Sequence, residues 1–184
     1  MNHSFTRALS MLWLSVPLLL SAGELTPDEQ AFFDQHKSDF VRFEAQKLEA
    51  LAVETVFAVP FYTVKVILTA SDGEPTTTFT VARVGDGFVS ILRPDSDADL
   101  PEFLKLLSPE FKLRTDANAR ALQEALDVLY PPMMQSDKKL ISFRHAGNSW
   151  IFVRGEFIEN KLGYIFTTGP DGEIKTVKFQ LRLP

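Results

Sequence analysis

From Leu25 to Phe57 apolar side chains return every three or four residues: Phe33, Phe40, Val41, Leu48 and Leu51 share one face of a helical wheel, flanked by Phe32 and Phe43. Thr26, Pro27 and Glu29 stand where an N-cap, a first helical residue and a capping-box carboxylate belong, so the pattern predicts one long N-terminal helix starting at Pro27. Glu44 and Lys47 fall inside its apolar arc, with His36 close to the same face. On a helix these three residues would converge, with Glu44 as a buried general base and Lys47 as its partner.

After Pro60 the period changes from 3.6 to 2. Tyr62, Val64, Val66 and Leu68 alternate with Thr63, Lys65 and Thr69, and Asp-Gly turn pairs punctuate a three-strand meander from Phe61 to Arg93. A short helix is predicted near Pro101 to Leu107. A second amphipathic helix follows, capped at Thr115 or Asp116, with Ala119, Leu122, Leu126 and Leu129 on one face and Pro131 and Pro132 as its stop. Four further strands come last, joined by the turns AGNS, IENK and GPDG. In the final one Val177, Phe179, Leu181 and Leu183 point one way, and Lys178, Gln180 and Arg182 the other.

Strands joined by such short connections pair antiparallel. The predicted fold class is therefore α+β, a long N-terminal helix packed on a curved, mainly antiparallel sheet of about seven strands. In shape alone this resembles the architecture of NTF2-like and cystatin-like proteins. Two halves of similar pattern, each carrying an Asp-Gly-Glu turn at Asp72 and Asp171, are also compatible with a pseudo-duplication.

The first 22 residues carry one cation, Arg7, an apolar run from Ala8 to Leu20 and small residues at Ser21, Ala22 and Gly23, the three-part pattern of a secretory signal peptide. The apolar run is shorter than the ~20 residues needed to span a bilayer, so cleavage after Ala22 or Gly23 is expected rather than stable membrane insertion. The expected organisation is a signal peptide over 1–22 and one α+β domain over 23–184, in the periplasm or secreted. The chain has no cysteine, which removes disulfides, thiol nucleophiles and thiolate metal sites and leaves stability to the core. Sixteen phenylalanines, of which Phe5 alone lies in the leader, supply that core.

The net charge of -5 gives no reason to expect nucleic acid as a partner. No Gly-x-Ser-x-Gly elbow, phosphate-cradling glycine loop or His-Glu-x-x-His helix is present. Asp95, Asp97 and Asp99 are spaced like the first ligands of a calcium loop, but Leu100 replaces its turn glycine and Leu106 its bidentate glutamate. No cofactor or metal is therefore expected. Parity within the last strands groups Trp150 with Arg154, and Lys178 with Arg182, and Arg144 joins them if the register brings these faces together. That cationic and aromatic surface would suit an acidic exported protein or a small ligand. The sequence thus reads as an exported non-catalytic binding module acting through its sheet, with a small pocket enzyme using Glu44 as the alternative.

Overall fold

The computed structural model describes residues 21–35, 41–68, 76–90, 97–129, 142–157 and 160–183. In chain order the elements are β1 (Ser21–Gly23), α1 (Pro27–Asp34), β2 (Val41–Glu49), α2 (Leu51–Val56), β3 (Phe61–Leu68), β4 (Thr76–Val84), β5 (Gly87–Ser90), β6 (Ala98–Asp99), α3 (Pro101–Leu104), α4 (Asp116–Leu129), β7 (Ser142–Ala146), β8 (Ser149–Phe157), β9 (Asn160–Thr168) and β10 (Ile174–Gln180). The molecule is α+β with antiparallel pairing throughout these strands. They build two five-stranded sheets: sheet 1 in the order β1-β2-β3-β4-β5, and sheet 2 in the order β6-β10-β9-β8-β7.

Two expectations are corrected. The long N-terminal helix is not formed: α1 ends at Asp34, Val41–Glu49 is a strand, and only Leu51–Val56 is helical again. The sequence VRFEAQKLE satisfies a period of two as well as 3.6, and hydrogen bonding to β1 on one side and β3 on the other decides between them. The single sheet of about seven strands is likewise replaced by two sheets, one from each half of the chain. Their topologies differ. In sheet 1 the short edge strand flanks the first strand of the meander, whereas in sheet 2 it flanks the last.

The capping box at the start of α1 forms as read: Glu29 N–H donates to Thr26 Oγ1 and Thr26 N–H donates to the Glu29 carboxylate. The α4 helix also agrees, burying Ala119, Leu122, Leu126 and Leu129. Thr115 Oγ1 accepts from the Asn118 N–H and secures its entry.

The main core lies between the two sheets. It joins α2, α3 and α4 to one end of sheet 1, at Phe61 and Ala82, and to Trp150, Phe152, Phe166 and Phe179 of sheet 2. Edge-to-face aromatic contacts run through it from Phe61 to Phe57 (5.0 Å), Phe103 (5.6 Å), Phe166 (5.6 Å) and Phe152 (5.3 Å). A smaller core of Phe33, Tyr62, Val64 and Val81 sits under α1 on the opposite face of sheet 1. Phe40, expected in the core, lies outside the described residues, as does the leader up to residue 20. No helix among the described residues is long and apolar enough to cross a membrane.

Candidate functional site

The residues expected to form a pocket are separated by the β2 strand. Three residues apart on a helix means one face, but three apart on a strand means opposite faces. Glu44 points outward and pairs with Lys65, its cross-strand neighbour, at 3.4 Å. Lys47 points to the other face, lies opposite Tyr62 and approaches Glu29 Oε1 at 4.0 Å. His36 lies outside the described residues.

The buried carboxylate on this side of the molecule is Glu29. Burial would raise its pKa, but the Thr26 N–H, the Tyr62 hydroxyl and the Lys47 charge outweigh burial and hold it below its ordinary value. A carboxyl held ionised by donors on several sides serves to dock α1 rather than to accept a proton near neutral pH.

The cationic and aromatic surface is also divided. Cross-strand pairing places Arg144 beside Ile151, Ile151 beside Ile165, and Ile165 beside Lys178, so these side chains share the outer face of sheet 2. Trp150 has the other parity and is 2% exposed in the main core. Arg154 falls at the register shift between Val153 and Gly155, where the parity of β8 is reset. Arg182 is exposed beyond the end of β10. Lys178 is paired with Asp99 at 3.2 Å, and Asp97 accepts the Leu181 N–H at 2.8 Å. Two of the acids that resemble calcium ligands in sequence therefore tether the last strand; Asp95 lies outside the described residues.

What the fold does bring together is a cleft at one end of sheet 2. In an antiparallel meander alternate turns lie at the same end, so the β7–β8 turn (Gly147, Asn148) and the β9–β10 turn (Gly169 to Gly172) are neighbours. Thr168 ties them, its N–H and hydroxyl both donating to the Asn148 carbonyl, at 2.9 and 3.2 Å. The connector before α4 closes the third side: Leu113 N–H donates to the Gly172 carbonyl at 2.8 Å, and Arg114 Nε donates to the Asp171 carbonyl.

The cleft is open to solvent and has a volume of about 510 Å³. Its floor is Trp150, on whose ring His145 stacks at 4.3 Å with an interplanar angle of 21°. Arg114, His145 and Asn148 are the exposed polar side chains at its rim. Among the described residues no Asp or Glu lines it. The Asp171 carboxylate accepts the Glu173 N–H at 3.2 Å, and that bond, ahead of the nearby Lys112 and Lys175 charges, holds its pKa below the ordinary value.

Arg114 and Asn148 escaped the sequence reading. The signal available was the pair of turns AGNS and GPDG, separated by two strands and so destined for the same sheet end. The approach of Arg114 depends on a contact 57 residues along the chain. Among the described residues no group of three or more His, Asp or Glu is placed to hold a metal ion. No protein-family model matches the chain, and neither a curated protein nor a solved structure shows significant similarity to it.

Proposed function

We propose that this chain is an exported, non-catalytic binding module that takes a small polar ligand in the turn-end cleft of sheet 2. The observation that carries the reading is the composition of the cleft: Arg114, His145 and Asn148 line it together with Trp150, and no carboxylate is among its described lining residues. Binding sites are concave, partly apolar and furnished with a few placed polar groups, and this cleft has that character. Turnover is disfavoured by the same geometry. Thr168, the hydroxyl in the lining, donates to a backbone carbonyl rather than to a base that could activate it.

An acidic protein docking on the outer face of sheet 2 is the weaker reading. Trp150 is turned away from that face and Lys178 already has a carboxylate partner.

Binding is tested with Trp150 itself. The chain has two tryptophans, Trp13 and Trp150, so Trp13→Phe leaves one emitter, on the cleft floor. Titration with acetamide, glucose, ethylamine, benzoate and inorganic phosphate should give a saturable change in Trp150 emission for at least one of them, with the ligand recovered unaltered. No response from any probe, or conversion of the bound one, would overturn the reading.

Export is tested separately. N-terminal sequencing of the secreted or periplasmic fraction should find Gly23 or Glu24 first, and an intact Met1 would refute the signal peptide. Cleavage after Gly23 would also remove all of β1, baring the β2 edge of sheet 1.

A further inference from the structure

We infer that the ligand of this cleft is a small monocarboxylate carried on an apolar body, and that Gly172 positions the arginine that binds it. The inference rests on the cleft being a binding site. Arg114 is exposed, and Arg114 Nε is bound to the Asp171 carbonyl, which fixes the plane of the guanidinium. Its charge has no carboxylate partner among the described residues. A planar, fixed fork of donors matches a carboxylate in two parallel hydrogen bonds. Arg114 is also the one Lys or Arg among the described lining residues, so it balances a single negative charge. The Asn148 side chain adds a neutral polar group to the lining. Pro170 and the His145 ring, stacked on the buried Trp150, supply the apolar side on which the body of the ligand can lie.

Gly172 has a local reason of its own to be glycine. Its φ is +79°, in the left-handed region, and a Cβ there would overlap Arg114 Cγ. The arginine stem therefore lies in the space that a side chain at 172 would fill. Gly85, in the β4–β5 hairpin of sheet 1, also has a left-handed φ, +59°, but a Cβ there meets nothing within 4 Å. Alanine at either position imposes the same kind of backbone strain, while only alanine at 172 displaces Arg114.

The experiment uses the full chain carrying Trp13→Phe and reads dissociation constants from Trp150 emission, with melting temperatures in parallel. Benzoate is the probe, benzamide its neutral isostere and inorganic phosphate the tetrahedral oxyanion. Benzoate should bind at least about tenfold more tightly than benzamide, the scale of a charge-assisted hydrogen-bond pair. Arg114→Gln should remove that preference, Arg114→Lys should retain part of it, and neither should shift the melting temperature by more than a degree or two. Gly172→Ala should weaken benzoate several-fold, while Gly85→Ala loses comparable stability and binds benzoate like the parent. Equal affinity for benzoate and benzamide, tighter binding of phosphate, or unchanged benzoate binding in Arg114→Gln overturns the carboxylate assignment while leaving the cleft a binding site. Should Gly172→Ala not fold, the two Arg114 variants still decide the ligand class, and Gly172→Ala measured in a stabilising osmolyte, beside the parent in the same osmolyte, decides the positioning. Binding of none of these probes overturns the cleft as the site itself.

Discussion

Phe166→Ala should lower the free energy of unfolding by about 3–5 kcal/mol, a large part of the ~5–15 kcal/mol that a domain of this size has in total. Phe166 is fully buried in β9 and touches Phe103 at 5.6 Å, Phe152 at 5.3 Å and Tyr164 at 6.3 Å between ring centres. Removing a large side chain from a close-packed interior loses its transfer energy and leaves a cavity that its neighbours fill only in part. Here the loss has a second component. Phe103 is the ring through which sheet 2 reaches Phe57, at the end of α2, and through it Phe61 of sheet 1, and each edge-to-face pair adds about 0.5–1.5 kcal/mol beyond its buried area.

The consequence is a change in cooperativity as well as in midpoint. Among the described strands no ladder joins the two sheets; helices, the Phe57–Leu107 bridge and this aromatic path do so. With Phe166 truncated in the Trp13→Phe background, denaturant unfolding followed by far-ultraviolet dichroism and by Trp150 emission should separate, because Trp150, on β8, follows the opening of sheet 2 while dichroism follows both sheets and the helices. Coincident transitions displaced by less than roughly 1 kcal/mol would show that the sheets are held together elsewhere.

How far the fold was legible in the sequence can be judged from β2 and α4. The α4 helix is written in one period only, its apolar residues at 119, 122, 126 and 129 having no alternation to compete with them, and it forms where expected. In Val41–Glu49 both periods fit, and local pattern cannot choose between them. The choice comes from hydrogen bonds to strands distant in sequence, and from the small core under α1 that half-buries Phe43 and Ala45.

That ambiguity had a functional consequence. It determined whether Glu44 and Lys47 converge on one face or lie on opposite faces. Sheet 2 shows the same limit in a milder form. Its strands and turns follow from alternation and turn chemistry, but the register shift between Val153 and Gly155 breaks the parity linking Trp150 to Arg154. A side chain's face can be counted along one strand only until the first bulge. Turn residues were therefore the better guide to the cleft, since the connectivity of a meander fixes the end at which they meet.

The same small core supports the second large effect. Glu29→Ala should destabilise the docking of α1 by about 2–4 kcal/mol, combining a lost capping-box carboxylate with a lost hydrogen bond to a charged acceptor. Glu29 is 8% exposed, and the Tyr62 hydroxyl, fully buried, donates to its Oε1 at 2.7 Å while the Thr26 N–H donates to Oε2 at 2.8 Å. Burial first, and then the adjacent Glu29 carboxylate, raises the pKa of Tyr62, so the phenol stays protonated as the donor.

Without Glu29 that buried hydroxyl loses its acceptor, which costs more than removing both partners. Tyr62→Phe combined with Glu29→Ala should accordingly cost less than the sum of the two single changes. The pH dependence follows from the depressed pKa of Glu29. Its contribution is complete above the unfolded value near 4.5 and is lost as pH falls through the lower folded value, so α1 is held at neutral pH and loosened by acid. Asp28 and Asp34 are the other acids on α1, and Lys47 and Arg83 face the helix from β2 and β4. The difference between wild type and Glu29→Gln isolates Glu29 from them.

Amide hydrogen exchange at Phe32 and Phe33, corrected for intrinsic rate and referred to α4, measures the docking directly. Wild-type protection should fall by up to about tenfold between pH 7 and ~3.5, while Glu29→Gln should start low and change less. Equal protection of α1 in the two proteins at pH 7 would mean that Phe33 against Tyr62, at 5.2 Å, and Arg83 over the Phe32 ring, at 4.5 Å, hold the helix without the carboxylate.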